Sequence, residues 1–236
     1  MRIHEPEKPR RFYNKAAVED REGGAVMLLD GRQPKTPAGT PLVLPTLALA
    51  ALVASEWEGQ GEHIDFGRMP ATRLAFTALD RTPLHHAEVG ASIARVAAAD
   101  VLLQRAGGRE GLHQAALWGP WVAWAEEAFG VRLVLGEGVA PPRQPGETLA
   151  RLAAEATALG NFALSALALA AGLYGSAILA FAVQRGAVDA DTAFDLSRLE
   201  EAWQEAQWGV DAEAEQRTAF HRADATMLGA WFRALA

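Results

Sequence analysis

The sequence predicts an α+β protein in which a small N-terminal domain that contains antiparallel β-strands is followed by a larger, mainly α-helical domain. Residues 11–45 hold short apolar runs separated by Gly, Pro and Asp, which is the pattern of short strands joined by tight turns. After residue 47 the chain is rich in alanine, which favours helices. We therefore place the two domains at residues 1–66 and 67–236.

The N-terminal domain is predicted from its turns. Residues 11–20 and 25–29 are interpreted as strands, and Asp30-Gly31 after the second apolar run is a strong hairpin signal. Pro37, Ala38 and Gly39 mark another turn. Residues 41–45 read PLVLP, and because proline cannot donate to a β-ladder we predict an edge strand or a tight corner there.

The helices follow in order along the rest of the chain. Thr46 is a suitable N-cap for the first helix, and Gly59 and Gly61 end it. We predict that residues 62–70 are extended and return to the sheet. Further helices are predicted at residues 71–81, 85–105, 112–129, 146–159, 161–184, 189–206 and 210–234.

Composition excludes several classes of protein. The chain has 236 residues, half of them hydrophobic, and a net charge of −7, which argues against nucleic-acid binding. It has no cysteine, so disulfides, thiol catalysis and cysteine-ligated zinc are excluded. The N-terminal segment has no apolar run and contains acidic residues, unlike a secretory signal or a mitochondrial presequence. We therefore expect a bacterial, cytoplasmic protein; a mature form that has already been trimmed is the alternative.

Residues 162–183 form an uncharged run that is long enough to span a bilayer. Much of the run is Ala, Gly and Ser, which contribute little transfer free energy. We interpret it as one central helix, or two short ones, buried by other helices. Attachment to a membrane through this run is the alternative.

The common catalytic motifs are absent. No phosphate-binding glycine loop precedes Lys35-Thr36, and no nucleophile elbow occurs. His85-His86 and residues 189–195 are interpreted as helix starts rather than metal ligands. We accordingly predict no catalytic residue, cofactor or metal.

The most unusual polar cluster is residues 199–217, where two tryptophans are interleaved with six carboxylates. Asp211 and Glu215 are four residues apart and share a helix face. Paired carboxylates of this kind suit acid–base chemistry, so an enzyme that acts on a small molecule is one alternative. A solvated helix face is the second alternative, since a run of charges usually faces water. The third is a protein-binding surface in which tryptophans are apolar anchors and carboxylates match basic groups of a partner.

Six segments occur in the order expected of a known family. They read RFY, LDGRQPKTPAGTPLVLP, ASEWEGQGEHID, MPATRLAFTALDR, GSAILAFAV and EAWQEAQWGVDAEAEQR, and they span residues 11–217. In these segments the chain resembles the ATP12 family of assembly chaperones for the F1 sector of ATP synthase. The resemblance implies an alphaproteobacterial-type member with no catalytic role; eukaryotic relatives are found in the mitochondrial matrix. It also implies that the chain binds the free F1 α subunit until that subunit pairs with β.

With that function in view, we predict which residues contact the client. The first choices are Trp203, Trp208, Asp211, Glu213 and Glu215, and the second choices are Trp57, Glu58 and Arg73. Trp57 is alternatively a core residue, and Arg32 and Lys35 rank below the C-terminal cluster of tryptophans and carboxylates. We expect a monomer that neither binds nucleic acid nor inserts stably into a membrane.

Overall fold

The computed structural model describes residues 8–138, 140–209 and 211–236. The chain divides into two compact units. The N-terminal unit is Met1–Arg81 together with Ala234–Ala236, and the helical unit is Thr82–Arg233. A small antiparallel sheet is followed by a mainly helical region, so the predicted α+β class is confirmed.

The N-terminal unit is built on a three-stranded antiparallel sheet. Its strands are β1 (Ala16–Arg21), β2 (Gly24–Leu29) and β3 (Val43–Leu44), in that spatial order. β2 is mostly buried, whereas most of β1 is exposed. A Cβ atom on Gly24 would lie 2.7 Å from the carbonyl oxygen of Leu44, so only glycine fits there. The PLVLP segment supplies the edge strand β3, as predicted.

The Asp30-Gly31 turn exists, but it closes a single β-bridge instead of a hairpin of two strands. Both residues have positive φ, 47° and 79°, and the backbone groups of Leu29 and Arg32 exchange two hydrogen bonds. Only one residue pair bridges across this turn. The hairpin between β1 and β2 is instead closed by a loop at residues 22–23, because the register pairs Arg21 with Gly24.

Helix α1 (Leu47–Glu58) packs on β1 and β2 and begins at Thr46, whose side chain accepts from the backbone N–H of Leu49. The prediction that residues 62–70 return to the sheet is wrong. These residues make a single bridge, Arg10 with His63, and then a 3₁₀ turn at Phe66–Arg68. Helix α2 (Pro70–Asp80) packs on α1, so the division between units falls after Arg81 instead of after residue 66.

The helical unit contains eight α-helices among its described residues, together with a two-stranded parallel sheet of β4 and β5. In chain order its elements are α3 (Thr82–Ala98), β4 (Gln104–Arg105), α4 (Gly108–Phe129), β5 (Gly136–Glu137), α5 (Gly146–Thr157), α6 (Asn161–Tyr174), α7 (Ala177–Gln184), α8 (Ala190–Ser197), α9 (Leu199–Trp208) and α10 (Ala212–Leu235). Two predicted helices, 161–184 and 189–206, are therefore each divided in two. The predicted helix 85–105 ends at Ala98, and a 3₁₀ turn and β4 follow it.

The uncharged run is interrupted at Gly175, which adopts φ 59° and ends α6. Ser176 then caps α7 by accepting from the backbone N–H of Leu179. Both helices are largely buried, which agrees with the interpretation of this run as two short buried helices. Across the described residues, no helix is both long and apolar enough to cross a membrane.

Asp100 is a fully buried carboxylate that holds this break in place. One of its oxygens accepts from the Ser176 hydroxyl and the Ile178 N–H, and the other accepts from the Leu102 N–H. The carboxylate therefore satisfies the N–H of Ile178 in the first turn of α7, which has no partner within the helix. Burial raises the pKa of Asp100 to about 6, although these hydrogen bonds act in the opposite direction.

We expect Asp100 to make folding more favourable at low pH. Its pKa is higher in the folded chain than the ordinary 3.8, so its contribution is fully present below that value and is lost as the pH rises through about 6. Asp100→Asn removes this titration. The difference in unfolding free energy, wild type minus variant, should fall by about 2 kcal/mol between about pH 4 and about pH 7 in urea titrations.

Asp65→Asn is the control of opposite sign for that measurement. The hydrogen bond from Lys8 holds the pKa of Asp65 below its usual range, so its contribution is lost as the pH falls. The wild-type advantage over Asp65→Asn should therefore grow with pH. An Asp100→Asn difference that is the same at both pH values would contradict the assignment.

Candidate functional site

Trp203 and Trp208 lie on a helix with little support from the rest of the helical unit. Helix α9 has no buried residue, and the side chain of Trp208 is 85% exposed. Trp203 is half-buried, and its ring lies 5.7 Å from the ring of His113. A cavity of about 610 Å³ beside it is lined by Arg109, Glu110, Trp203, Ala206 and Gln207. An apolar surface is thus exposed to solvent next to an open depression.

Five of the six carboxylates near these tryptophans are exposed, whereas Glu205 is half-buried and pairs with Arg198 at 3.0 Å. Residues 199–217 contain six carboxylates and one arginine, for a net charge of −5. Asp211, Glu213 and Glu215 are exposed at the start of α10, and Glu213 pairs with Arg217 at 2.9 Å. Catalytic carboxylates generally lie in clefts that exclude water. The exposure of this group therefore favours a contact surface over acid–base catalysis.

Trp57 is placed in the core of the N-terminal unit. Its side chain is only 4% exposed and lies between the rings of Tyr13 and Phe66, at centroid distances of 5.7 and 5.9 Å. Its carbonyl accepts a 2.6 Å hydrogen bond from the Tyr13 hydroxyl. Its indole N–H has no acceptor among the described residues. A side chain this buried offers almost no contact area, so we assign Trp57 to the core.

The other two second-choice residues are accessible. Glu58 is exposed, and one of its oxygens accepts from the backbone N–H of Ala16 at 2.8 Å, which ties α1 to β1. The same carboxylate lies 3.7 Å from the guanidinium of Arg11. Arg73 is exposed on α2. Glu58 therefore has a structural role already, whereas the exposed side chain of Arg73 is accessible to a partner.

Sequence reasoning missed Glu56. Its two carboxylate oxygens accept from the backbone N–H groups of Ala71 and Thr72 and from the Thr72 hydroxyl, each at 2.7 Å. Burial raises the pKa of Glu56, although these hydrogen bonds lower it. The available signal was that α2 begins at Pro70 after Met69, a residue that cannot cap a helix. A cap had to come from elsewhere in the chain.

Three comparisons locate the chain among known proteins. Residues 10–126 match the model of the ATP12 chaperone protein family. The mitochondrial protein atp12 of Schizosaccharomyces pombe is 25% identical over 221 residues, which cover 88% of this chain and 76% of that protein. The crystal structure of Atp12 from Paracoccus denitrificans is 37% identical with a TM-score of 0.89, covering 97% of this chain and 99% of that one.

A variant of the Paracoccus protein in which an aspartate is replaced by lysine has the same identity and TM-score, and covers 97% of this chain and 98% of that one. Identity of 37% over nearly the whole length settles the family. The chain belongs to the ATP12 chaperone family.

The two kinds of tryptophan should respond differently to truncation. Trp57→Ala removes a buried aromatic side chain and should lower the unfolding free energy by about 3–5 kcal/mol. Trp208→Ala removes an exposed one and should change it by no more than about 0.5 kcal/mol. Urea unfolding followed by circular dichroism measures both. Equal losses in the two variants would contradict the placement of Trp57 in the core.

Proposed function

We propose that the chain is an assembly chaperone for the F1 sector of ATP synthase. It binds the free α subunit and shields the interface of that subunit until β takes its place. Membership of the ATP12 chaperone family supports this proposal. The observation that carries it is the 85% exposure of Trp208 within residues 199–217, a segment that also holds Trp203 and six carboxylates.

The contact surface consists of Trp203, Trp208, Asp211, Glu213 and Glu215, which we call the acidic–tryptophan surface. A subunit that awaits its partner exposes an apolar interface, and large exposed patches of this kind promote aggregation. The exposed ring of Trp208 supplies apolar area for such a patch. The carboxylates select a client surface that carries Arg or Lys beside its apolar residues.

This composition suits a partner that must later be displaced. Electrostatic attraction between exposed charges raises the association rate and selects the partner without requiring extreme affinity. The α subunit is therefore held long enough to prevent aggregation but is released when β offers a larger interface. The action is binding alone, and we place it in the bacterial cytoplasm. Arg73 and Glu58 are secondary contact residues.

The test is co-purification from cells that contain the tagged chain with the F1 α and β subunits. We expect capture of α and not of β. A variant with Asp211, Glu213 and Glu215 all changed to Lys reverses the charge of the surface and should weaken capture of α by about tenfold or more, since like charges then face each other.

The matched control changes Glu22, Glu88 and Glu127 to Lys, three exposed carboxylates outside the surface, and produces the same change in net charge. It should capture α as the wild type does. Equal capture of α and β, or of neither, would refute the proposed client. Equal weakening in both variants would refute the proposed surface.

A further inference from the structure

A second cavity lies beside the Asp30-Gly31 turn, in the N-terminal unit. Its volume is about 650 Å³, which is within the range of pockets that bind small ligands or single side chains. The apolar part of its lining comes from three segments that are distant in sequence, residues 12–13, 29–35 and 57. The apolar residues are Phe12, Tyr13, Leu29, Pro34 and Trp57.

The walls of this cavity are fixed by hydrogen bonds. The Asp30 carboxylate accepts from the backbone N–H groups of Asn14 and Lys15, which joins the turn to the N-terminal segment. The Gln33 side chain donates to the carbonyl of Leu42, which joins the turn to the segment before β3. The cavity therefore exists before any ligand arrives, and binding requires little ordering of its lining.

Two cationic side chains complete the lining. Arg32 and Lys35 are exposed at this cavity, and neither has an ion-pair partner within residues 8–138, 140–209 and 211–236. Asp30 is the acidic residue of the lining, and both of its carboxylate oxygens already accept hydrogen bonds from the N-terminal segment. In a chain with a net charge of −7, two cations that have no ion-pair partner among the described residues, placed beside a partly apolar cavity, favour an anionic ligand.

Phe12 adds an aromatic anchor to the same cavity. Its side chain is 72% exposed, although its ring edge rests on Tyr13 at a centroid distance of 5.4 Å. A large aromatic side chain held at the mouth of a preformed depression is typical of the residues that dominate protein–protein binding energy. The ligand is therefore expected to carry a large apolar group next to its negative charge.

We infer that this cavity binds an extended segment of the client polypeptide in which a carboxylate side chain lies next to a large apolar one. The inference rests on the proposed function, because it takes the client to be the F1 α subunit. The acidic–tryptophan surface selects basic groups, and this cavity selects an acidic one. A partner that must match contacts of opposite charge at both places is bound more specifically than one that must match either contact alone.

The first experiment uses peptide probes and the full chain. A fluorescein-labelled peptide of alternating Glu and Phe is titrated against the wild type by fluorescence anisotropy, beside a peptide with Lys in place of Glu. We expect the Glu peptide to bind at least about tenfold more tightly than the Lys peptide, since only the former complements the two cations. Equal binding of both peptides would overturn the inference.

The variants locate that binding. The double variant Arg32→Glu with Lys35→Glu should weaken binding of the Glu peptide by about tenfold or more. Phe12→Ala should weaken the same binding by about fivefold. The matched control, Arg68→Glu with Arg95→Glu, reverses two exposed cations outside the cavity and should bind as the wild type does. Circular dichroism confirms folding, and Arg32→Gln with Lys35→Gln replaces the first variant if that variant unfolds. Equal loss in cavity and control variants would overturn the site.

The second experiment identifies the natural occupant. A photo-crosslinking benzoyl-phenylalanine at position 12 is expected to attach to a segment of captured α subunit that contains Asp or Glu beside a large apolar residue. If α is captured but no crosslink to it forms, the proposed function stands and the cavity inference falls. If the Glu peptide binds but α is not captured, the proposed function fails, and with it the assignment of this cavity to the client.

Two other occupants would also be recognised. Benzoate that displaces the Glu peptide as effectively as the unlabelled peptide does would assign the cavity to a small anion. A crosslink between two copies of the chain, with dimers seen by light scattering, would assign it to self-association. Either result overturns the inference.

Discussion

The N-terminal unit depends on the last turn of α1, where three consecutive residues each hold a different element. Glu56 caps α2 through the N–H groups of Ala71 and Thr72. Trp57 fills the core beside Tyr13, and Glu58 accepts from the first residue of β1. Successive helix positions point in different directions, so one turn reaches a helix, the core and a sheet at once. The position of the cavity beside the Asp30-Gly31 turn depends on this arrangement, because Tyr13 and Trp57 are part of its lining.

In the helical unit a buried carboxylate also joins separate elements. Asp100 links the 3₁₀ turn at Val101–Leu103 to the start of α7. Buried carboxylates of this kind are costly to desolvate but fix the geometry of the helix ends that they cap. The core elements are thus anchored by a few long-range polar contacts, whereas α9 has no buried residue. A surface with little packing of its own can adapt to a client without disturbing the core.

Features that depend only on a few adjacent residues were predictable from the sequence. The Asp30-Gly31 turn, the Thr46 cap and the edge position of β3 follow from a few adjacent residues, and the ordered segments identified the family. Contacts between distant residues were not predictable in this way. Glu56 looked like one more exposed carboxylate because its partners lie fifteen and sixteen residues later. The prediction for residues 62–70 failed for the same reason, since their backbone partners lie at Pro9 and Arg11. For the proposed contact surface, the sequence placed Trp203 and Trp208 in a charged segment, but only their exposure separates them from Trp57.

The break at Gly175-Ser176 has a consequence for the synthesis of the chain. As it leaves the ribosome, the uncharged run from residue 162 to residue 183 has the length of a membrane anchor. The machinery that inserts nascent proteins weighs apolar character along such a run, and the many Ala, Gly and Ser residues keep that character low. Leu or Ile at these positions would raise that apolar character. The break at Gly175-Ser176 leaves α6 and α7 as two helices, each shorter than the about 20 residues that a helix needs to span a bilayer.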